Sequence, residues 1–346
     1  MKKIIVVILS FVLFATPVSA MEFSAPTAPD SAEEYLPEAS SSFLQDLWYI
    51  IRKAFAEFYP SITEAANSCV SVLVLIILVS LLQGFSGISR QTVNLVGAIA
   101  VSTALLSPSN ALIKIGIQTV ESISEYGKLL LPVMTAALAA EGGTTTSTAL
   151  YTGTVIFNNL LTEGAIKFQI PMLYAFIALS IAYSVIDEPI IKNLHSLFKW
   201  LITWSLKISI YIFVGYLGIT GVISGTVDAS AVKVAKLAIS GSVPIIGSII
   251  SDASETILVS AGIMKNAAGI YGMLVILAIW IGPFLQIGAQ YLTLRITAAV
   301  SGVLGCERTV SLIENFSCAM GFLVAMTGTV CLLLLISTVC FMKGVS

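Results

Sequence analysis

The stretch Phe316-Ser317-Cys318-Ala319-Met320-Gly321-Phe322-Leu323-Val324-Ala325-Met326-Thr327-Gly328-Thr329-Val330-Cys331-Leu332-Leu333-Leu334-Leu335-Ile336-Ser337-Thr338-Val339-Cys340-Phe341-Met342 holds no charged side chain. It exceeds the ~20 apolar residues that cross the hydrocarbon of a bilayer. Backbone polar groups in lipid must be satisfied within the segment, so such a span is helical. The rest of the chain repeats the pattern. Hydrophobic residues make up 57% of the sequence and charged residues 10%. A soluble domain carries about a quarter of its residues charged. The chain therefore reads as an all-α, polytopic helical membrane protein that uses the lipid bilayer as its solvent.

Six further spans are predicted upstream. The first is Ala66–Leu82, where only Ser71 and Ser80 interrupt the apolar run from Val70. Thr92–Ser107 is the second, after a tight loop holding Arg90. Ala149–Leu161 is a short third, Ile170–Ile186 the fourth and Trp200–Ile223 the fifth. Gly269–Leu292 is the sixth, with a kink expected at Pro283, where a backbone donor is missing. With Phe316–Met342 the count is about seven transmembrane helices.

The amino end reads as an export signal over residues 1–20. Lys2 and Lys3 form its positive start, Ile4 to Ala15 its apolar core, and Val18-Ser19-Ala20 a small-residue cleavage site. Cleavage there places residue 21 outside the cytoplasm. Residues 21–42 carry Asp30, Glu33, Glu34 and Glu38 among prolines and serines, and are expected to be an acidic, flexible extracytoplasmic segment. An amphipathic interfacial helix is expected over 43–65. Phe43, Leu47, Ile50, Ile51, Ala54, Phe55 and Phe58 line one face of it, and it ends before Pro60. The polytopic membrane domain fills 66–346. Lysine and arginine do not decide the orientation. Arg90, Lys167, Lys233, Lys236, Lys265 and Lys343 fall on the cytoplasmic side, while Lys114, Lys128, Lys192, Lys199, Arg295 and Arg308 fall in outer loops.

Two apolar segments read as interrupted. One is Leu129–Thr148, with Pro132, the pair Gly142-Gly143 and a run of hydroxyl residues. The other is Ile239–Glu255, with Pro244, Gly247, Asp252 and Glu255. Paired Gly/Pro-interrupted segments point to a translocation path in membrane carriers. Flat amphipathic helices with proline near the start and glycine near the end are the other reading. Lys207, inside the fifth span, is either a functional charge or a side chain reaching back to the interface. Asp252, Glu255 and Lys265 frame a polar path or a solvated face. The candidate conduit or packing positions are therefore Pro132, Gly142, Gly143, Lys207, Pro244, Gly247, Asp252, Glu255 and Lys265.

Catalytic patterns are missing. His195 is the only histidine, which excludes a histidine metal cluster, and it is expected to be structural or interfacial. Cys69, Cys306, Cys318, Cys331 and Cys340 form no C-x-x-C pair and read as small buried hydrophobes. Gly84-Phe85-Ser86-Gly87 lacks the Lys-Ser/Thr of a phosphate loop. A net charge of −2 offers no nucleic-acid surface. No cofactor is implied, and the chain is not expected to be an enzyme.

One stretch resembles a known family. Ser240-Gly241-Ser242-Val243-Pro244-Ile245-Ile246-Gly247 runs on to Ser251-Asp252-Ala253-Ser254-Glu255-Thr256 and then Lys265-Asn266-Ala267-Ala268-Gly269-Ile270. It is similar to the stage III sporulation protein AE family of endospore formers, and the order of signal, acidic head and polytopic domain also resembles that family. The head is short beside the family's usual one. The resemblance implies a place in the mother-cell membrane around the forespore, with the mature amino end extracytoplasmic. It implies membership of a secretion-like channel complex that sustains late forespore gene expression. Implied partners are the other stage III A-operon proteins, among them a secretion-type ATPase and ring-forming proteins, and the forespore-side stage II sporulation protein Q. The residues alone leave two other readings open, a stand-alone permease for a small solute and a passive membrane scaffold.

Overall fold

A computed structural model describes residues 26–37, 42–84, 89–140, 144–186, 188–219, 267–303 and 307–343. Every element among them is helical. In chain order they are α1 (Asp30–Glu33), α2 (Phe43–Gln83), α3 (Arg90–Ala140), α4 (Thr144–Gly164), a π-helical turn (Ala165–Gln169), α5 (Ile170–Val185), α6 (Pro189–Ile219), α7 (Ala267–Gly302) and α8 (Glu307–Lys343). The second interrupted segment, with Pro244, Gly247, Asp252, Glu255 and Lys265, lies outside the described residues, as do Gly142 and Gly143.

Among the described residues, five helical stretches are long and apolar enough to cross a membrane: Phe43–Gln83, Thr92–Ala136, Tyr151–Val185, Ala268–Gly302 and Arg308–Met342. The all-helical, multi-span architecture matches the expectation, while the expected spans fall differently on the helices. The expected spans merge because prolines read as helix ends do not end helices. Pro60 sits inside α2, and Pro108 and Pro132 sit inside α3. A proline frees the carbonyl four residues back. Here that carbonyl belongs to Ala56 for Pro60 and to Lys128 for Pro132, and both residues are exposed. A freed carbonyl on an outer face is not stranded in a core, so the helix continues. The helix expected over 43–65 is thus the first part of α2, and Leu129–Ala140 continues α3 through Pro132, while the Gly142-Gly143 break of the first interrupted segment lies outside the described residues.

The buried stripe of α2 confirms its continuity. Leu47, Ile50, Ala54, Ala65, Cys69, Val72, Ile76 and Val79 are buried, and half-buried Phe58 and Ser61 bridge the stripe across Pro60. The steps of three and four residues keep one helix face on the core throughout.

The third and fourth expected spans merge through the π turn. Pro171 has no N–H to donate, and its ring crowds the carbonyl of Lys167. The helix widens there, and the Ile170 N–H donates to Ala165 O, five residues back. Single π turns of this kind absorb one extra residue without ending a helix. Glu163 and Lys167 pair across the outer face of the turn.

α7 and α8 form the centre. In their most apolar windows 78% and 83% of residues are buried in protein, against 28% in α2. Close contacts fix the register. A Cβ built on Gly116 would lie 2.5 Å from Leu323 Cδ1, and one on Gly127 would lie 3.1 Å from both Leu334 methyls. Equal steps in the same direction make α3 and α8 parallel. Gly269 against Met342 and Gly321 against Tyr291 make α7 and α8 antiparallel, and Gly97 against Val79 does the same for α2 and α3. Gln83 Nε2 donates to Asn94 Oδ1 at 2.6 Å and closes the α2–α3 hairpin.

The acidic head departs from the expected flexibility in part. Ala32 and Ala28 are buried in the main core, and Tyr35 lies against Gly282 of α7. Lys53 of α2 donates to the carbonyl of Glu34, and Tyr35 hydrogen-bonds Glu57. Ala28, Ala32, Tyr35 and Leu36 form a short apolar stripe hidden among the acids. Burial, followed by the hydrogen bond and charge of Glu57, pushes the Tyr35 phenol from 10.0 up to about 12. The folded state thus favours the neutral phenol. The strap contact is intact below pH 10 and weakens as pH climbs through about 12. An ultraviolet titration of the parent minus Tyr35→Phe should show one tyrosine ionising near 12; ionisation near 10 would contradict the docked strap.

Candidate functional site

The centre of the molecule is a sheathed apolar hairpin with polar groups at its joints. Met273 to Trp280 of α7 and Phe316, Met320, Leu323 and Val324 of α8 are fully or almost fully buried. Several hydroxyls there return to their own helices: Thr338 Oγ1 donates to Leu334 O and Thr327 Oγ1 to Val324 O. Such bonds let hydroxyl residues sit in an apolar core without stranding a donor. Ser317 Oγ instead crosses to Tyr291 O at 3.1 Å and ties α8 to α7. Asn158 Nδ2 of α4 reaches Ser124 Oγ of α3 at 3.3 Å.

The sharpest polar joint is where α5, α6 and α8 meet. His195 is buried, and its ring stacks on Phe176 at 4.8 Å and on Tyr183 at 5.8 Å. Phe176 meets Phe322 edge to face at 5.8 Å. Asn315 of α8 hydrogen-bonds the imidazole, and Nε2 is left without a partner among the described residues. The expectation of a structural histidine fits this geometry. A cavity of about 10 Å³ lies below the ring, lined by Gln169, Leu173, Ile202, Leu206, Phe322, Leu323 and Met326. That is room for about one water, not for a solute.

Of the candidate positions, two are on described elements. Pro132 is exposed near the carboxyl end of α3. Lys207 is half-buried in the middle of α6, which begins at Pro189 and not at Trp200. The two sit on different helices with no contact linking them into one site. Among the described residues no group of three His, Cys, Asp or Glu could hold a metal ion. Among the described cysteines, Cys69 and Cys331 are buried and Cys318 and Cys340 half-buried.

Sequence reasoning missed two features. The His195 joint depends on Phe176, Tyr183 and Asn315, which no local spacing links. The outer face of α3 was legible: Lys114 and Lys128, assigned to an outer loop, stand on a helix with Asn110, Gln118, Glu121 and Glu125 at steps of three and four. Lys192, Lys199, Arg295 and Arg308, also assigned to outer loops, likewise stand on helices.

The family model for Stage III sporulation protein AE matches residues 33–344. A curated relative, Stage III sporulation protein AE of Bacillus subtilis (strain 168), is 21% identical over 255 residues, which is 73% of this chain. The aligned part spans 63% of that relative's length. No solved structure matches the chain. The match over nearly the whole polytopic region and the apolar helical architecture agree, and the chain belongs to the stage III sporulation protein AE family.

Proposed function

We propose that this chain is a multi-pass membrane component of the secretion-like channel complex that links mother cell and forespore and sustains late forespore gene expression. The observation that carries the reading is the family match across residues 33–344, joined to five helices of membrane-spanning length among the described residues. The chain sits in the mother-cell membrane around the forespore, with its mature amino end outside the cytoplasm. Its partners are the other stage III A-operon proteins, including the secretion-type ATPase and the ring-forming proteins, and through them stage II sporulation protein Q. The chain is not an enzyme. Gly142, Gly143, Pro244, Gly247, Asp252, Glu255 and Lys265 are retained as path or packing positions, with Lys207 and Pro132 beside them.

Affinity purification of the full chain from membranes of sporulating cells tests the reading. The other A-operon proteins should co-purify, in amounts that rise after engulfment. Recovery of the chain alone, with solute uptake by the purified protein in vesicles, would replace this proposal with a stand-alone permease.

A further inference from the structure

From Asn110 to Lys128 the exposed positions of α3 are Asn110, Ala111, Lys114, Gln118, Glu121, Glu125 and Lys128. All but Ala111 are polar or charged. They recur at steps of three and four residues, so they form one stripe along the helix. The opposite face of the same stretch carries Ile113, Gly116, Val120, Ile123 and Gly127 into the core. At ~1.5 Å per residue the stripe is about 27 Å long, close to the ~30 Å of hydrocarbon in a bilayer.

The amino-terminal part of α3 is unlike it. From 92 to 107 the exposed positions are Thr92, Leu95, Val96, Ile99, Thr103, Leu106 and Ser107, with no charge. The change falls at Pro108. α2 changes at the same level. Its exposed positions from 67 to 82 are Asn67, Val70, Ser71, Val74, Ile77, Leu78, Leu81 and Leu82. Nearer its start it exposes Trp48, Tyr49, Arg52, Tyr59 and Glu64 together with the apolar Leu44, Phe55 and Ile62. The antiparallel register set by Gln83 with Asn94, and by Val79 with Gly97, lays the α3 stripe beside this charged and aromatic part of α2. The docked acidic strap touches the same part of α2, through Lys53 and Glu57. Tyr174 of α5 donates to Asn110 Oδ1 at 2.8 Å and brings a further polar group to the stripe's first residue.

Acyl chains offer no partner to such a face, and charged groups in hydrocarbon are costly. Helices of 41 and 51 residues also run about 60 and 75 Å, at least twice the hydrocarbon thickness. We propose that the outer face of α3 from Asn110 to Lys128 is in contact with water over its whole length, and that lipid contact on the outer face of this helix is confined to the part before Pro108. The apolar α2–α3 hairpin, from Asn67 to Leu82 and from Leu95 to Leu106, is then the part that meets lipid. The inference rests on the membrane assignment alone, not on the proposed partners.

The test places single cysteines at exposed positions of the full chain in native membranes. Gln118→Cys and Glu125→Cys probe the stripe, Lys114→Cys and Lys128→Cys probe its two ends, and Val74→Cys and Ile99→Cys probe the hairpin. A small, charged, membrane-impermeant thiol reagent is applied from each side in turn, and labelling above the parent is measured. Thiolates form in water and not in hydrocarbon, so stripe positions should react about tenfold faster or more than hairpin positions. Labelling by a bulky polymer-linked maleimide as well would place the stripe in open water outside the bilayer. Labelling by the small reagent alone would place it in an enclosed aqueous cavity, and either result supports the proposal. Stripe cysteines that react no faster than Val74→Cys and Ile99→Cys, from both sides, would overturn it. That result would leave the sporulation reading standing, since co-purification of partners does not depend on it.

Discussion

Phe176→Ala lowers the stability of the folded protein by about 3–5 kcal/mol, the expected loss for a fully buried aromatic side chain. The Phe176 ring is inaccessible to solvent and bridges three helices, with His195 of α6 on its face and Phe322 of α8 at its edge. Removing it leaves a void beside the cavity at Leu173 and Phe322, and His195 loses the surface on which it stacks. The neighbours cannot collapse into the void without moving α6, because Asn315 holds the imidazole from α8. Phe176→Leu retains most of the volume and should cost less than half as much. Thermal unfolding of the detergent-solubilised variants distinguishes the two. Equal, small losses for both would mean that the three-helix joint does not carry this load.

Gly116→Leu should cost about 1–3 kcal/mol, which lowers the ratio of folded to unfolded protein by a factor of roughly 5 to 150. Even a Cβ at this position meets Leu323 Cδ1 at 2.5 Å, so the longer side chain must force α3 away from α8. The seam is continuous: Gly127 approaches Leu334 one stretch further on, and Leu130 of the same helix fills the space beside Gly272 of α7. A gap opened at Gly116 therefore spreads along the centre of the molecule. The register makes a specific second prediction. Leu323→Ala in the same chain should restore much of what Gly116→Leu removes, whereas Leu334→Ala should not. Additive losses in the Gly116→Leu, Leu323→Ala double variant would contradict the parallel pairing of α3 and α8.

The helical, lipid-directed character of the chain was legible from long uncharged runs such as Phe316–Met342. The boundaries were not, and the reason is physical. Pro60 was read as a helix end and Pro132 as an interruption because proline removes a donor, and the π turn before Pro171 was not foreseen. Whether that matters depends on where the freed carbonyl points, and here the carbonyls of Ala56, Lys128 and Lys167 belong to exposed residues. The head misled in the opposite direction. Its acids and prolines suggested a loose segment, while Ala28 and Ala32, two small residues in that composition, supply the docking contacts. The polar stripe of α3 could have been read from sequence at steps of three and four, had residues 108–128 been tested for helical periodicity and not treated as a loop. The His195 joint was beyond reach, since its partners come from three helices and share no spacing. Seven of the nine candidate positions fall outside the described residues, and the two described, Pro132 and Lys207, stand apart on α3 and α6.

On the proposed function, this chain serves the forespore from within the surrounding membrane and has no part in growth. The most direct measurement is the output of a late forespore reporter, followed through engulfment in single cells from which the chain has been deleted. Engulfment and vegetative growth should proceed normally, the reporter should stay dark, and a plasmid-borne copy should restore it. A deletion strain whose forespores light up on time, or whose dividing cells grow poorly, would contradict the account.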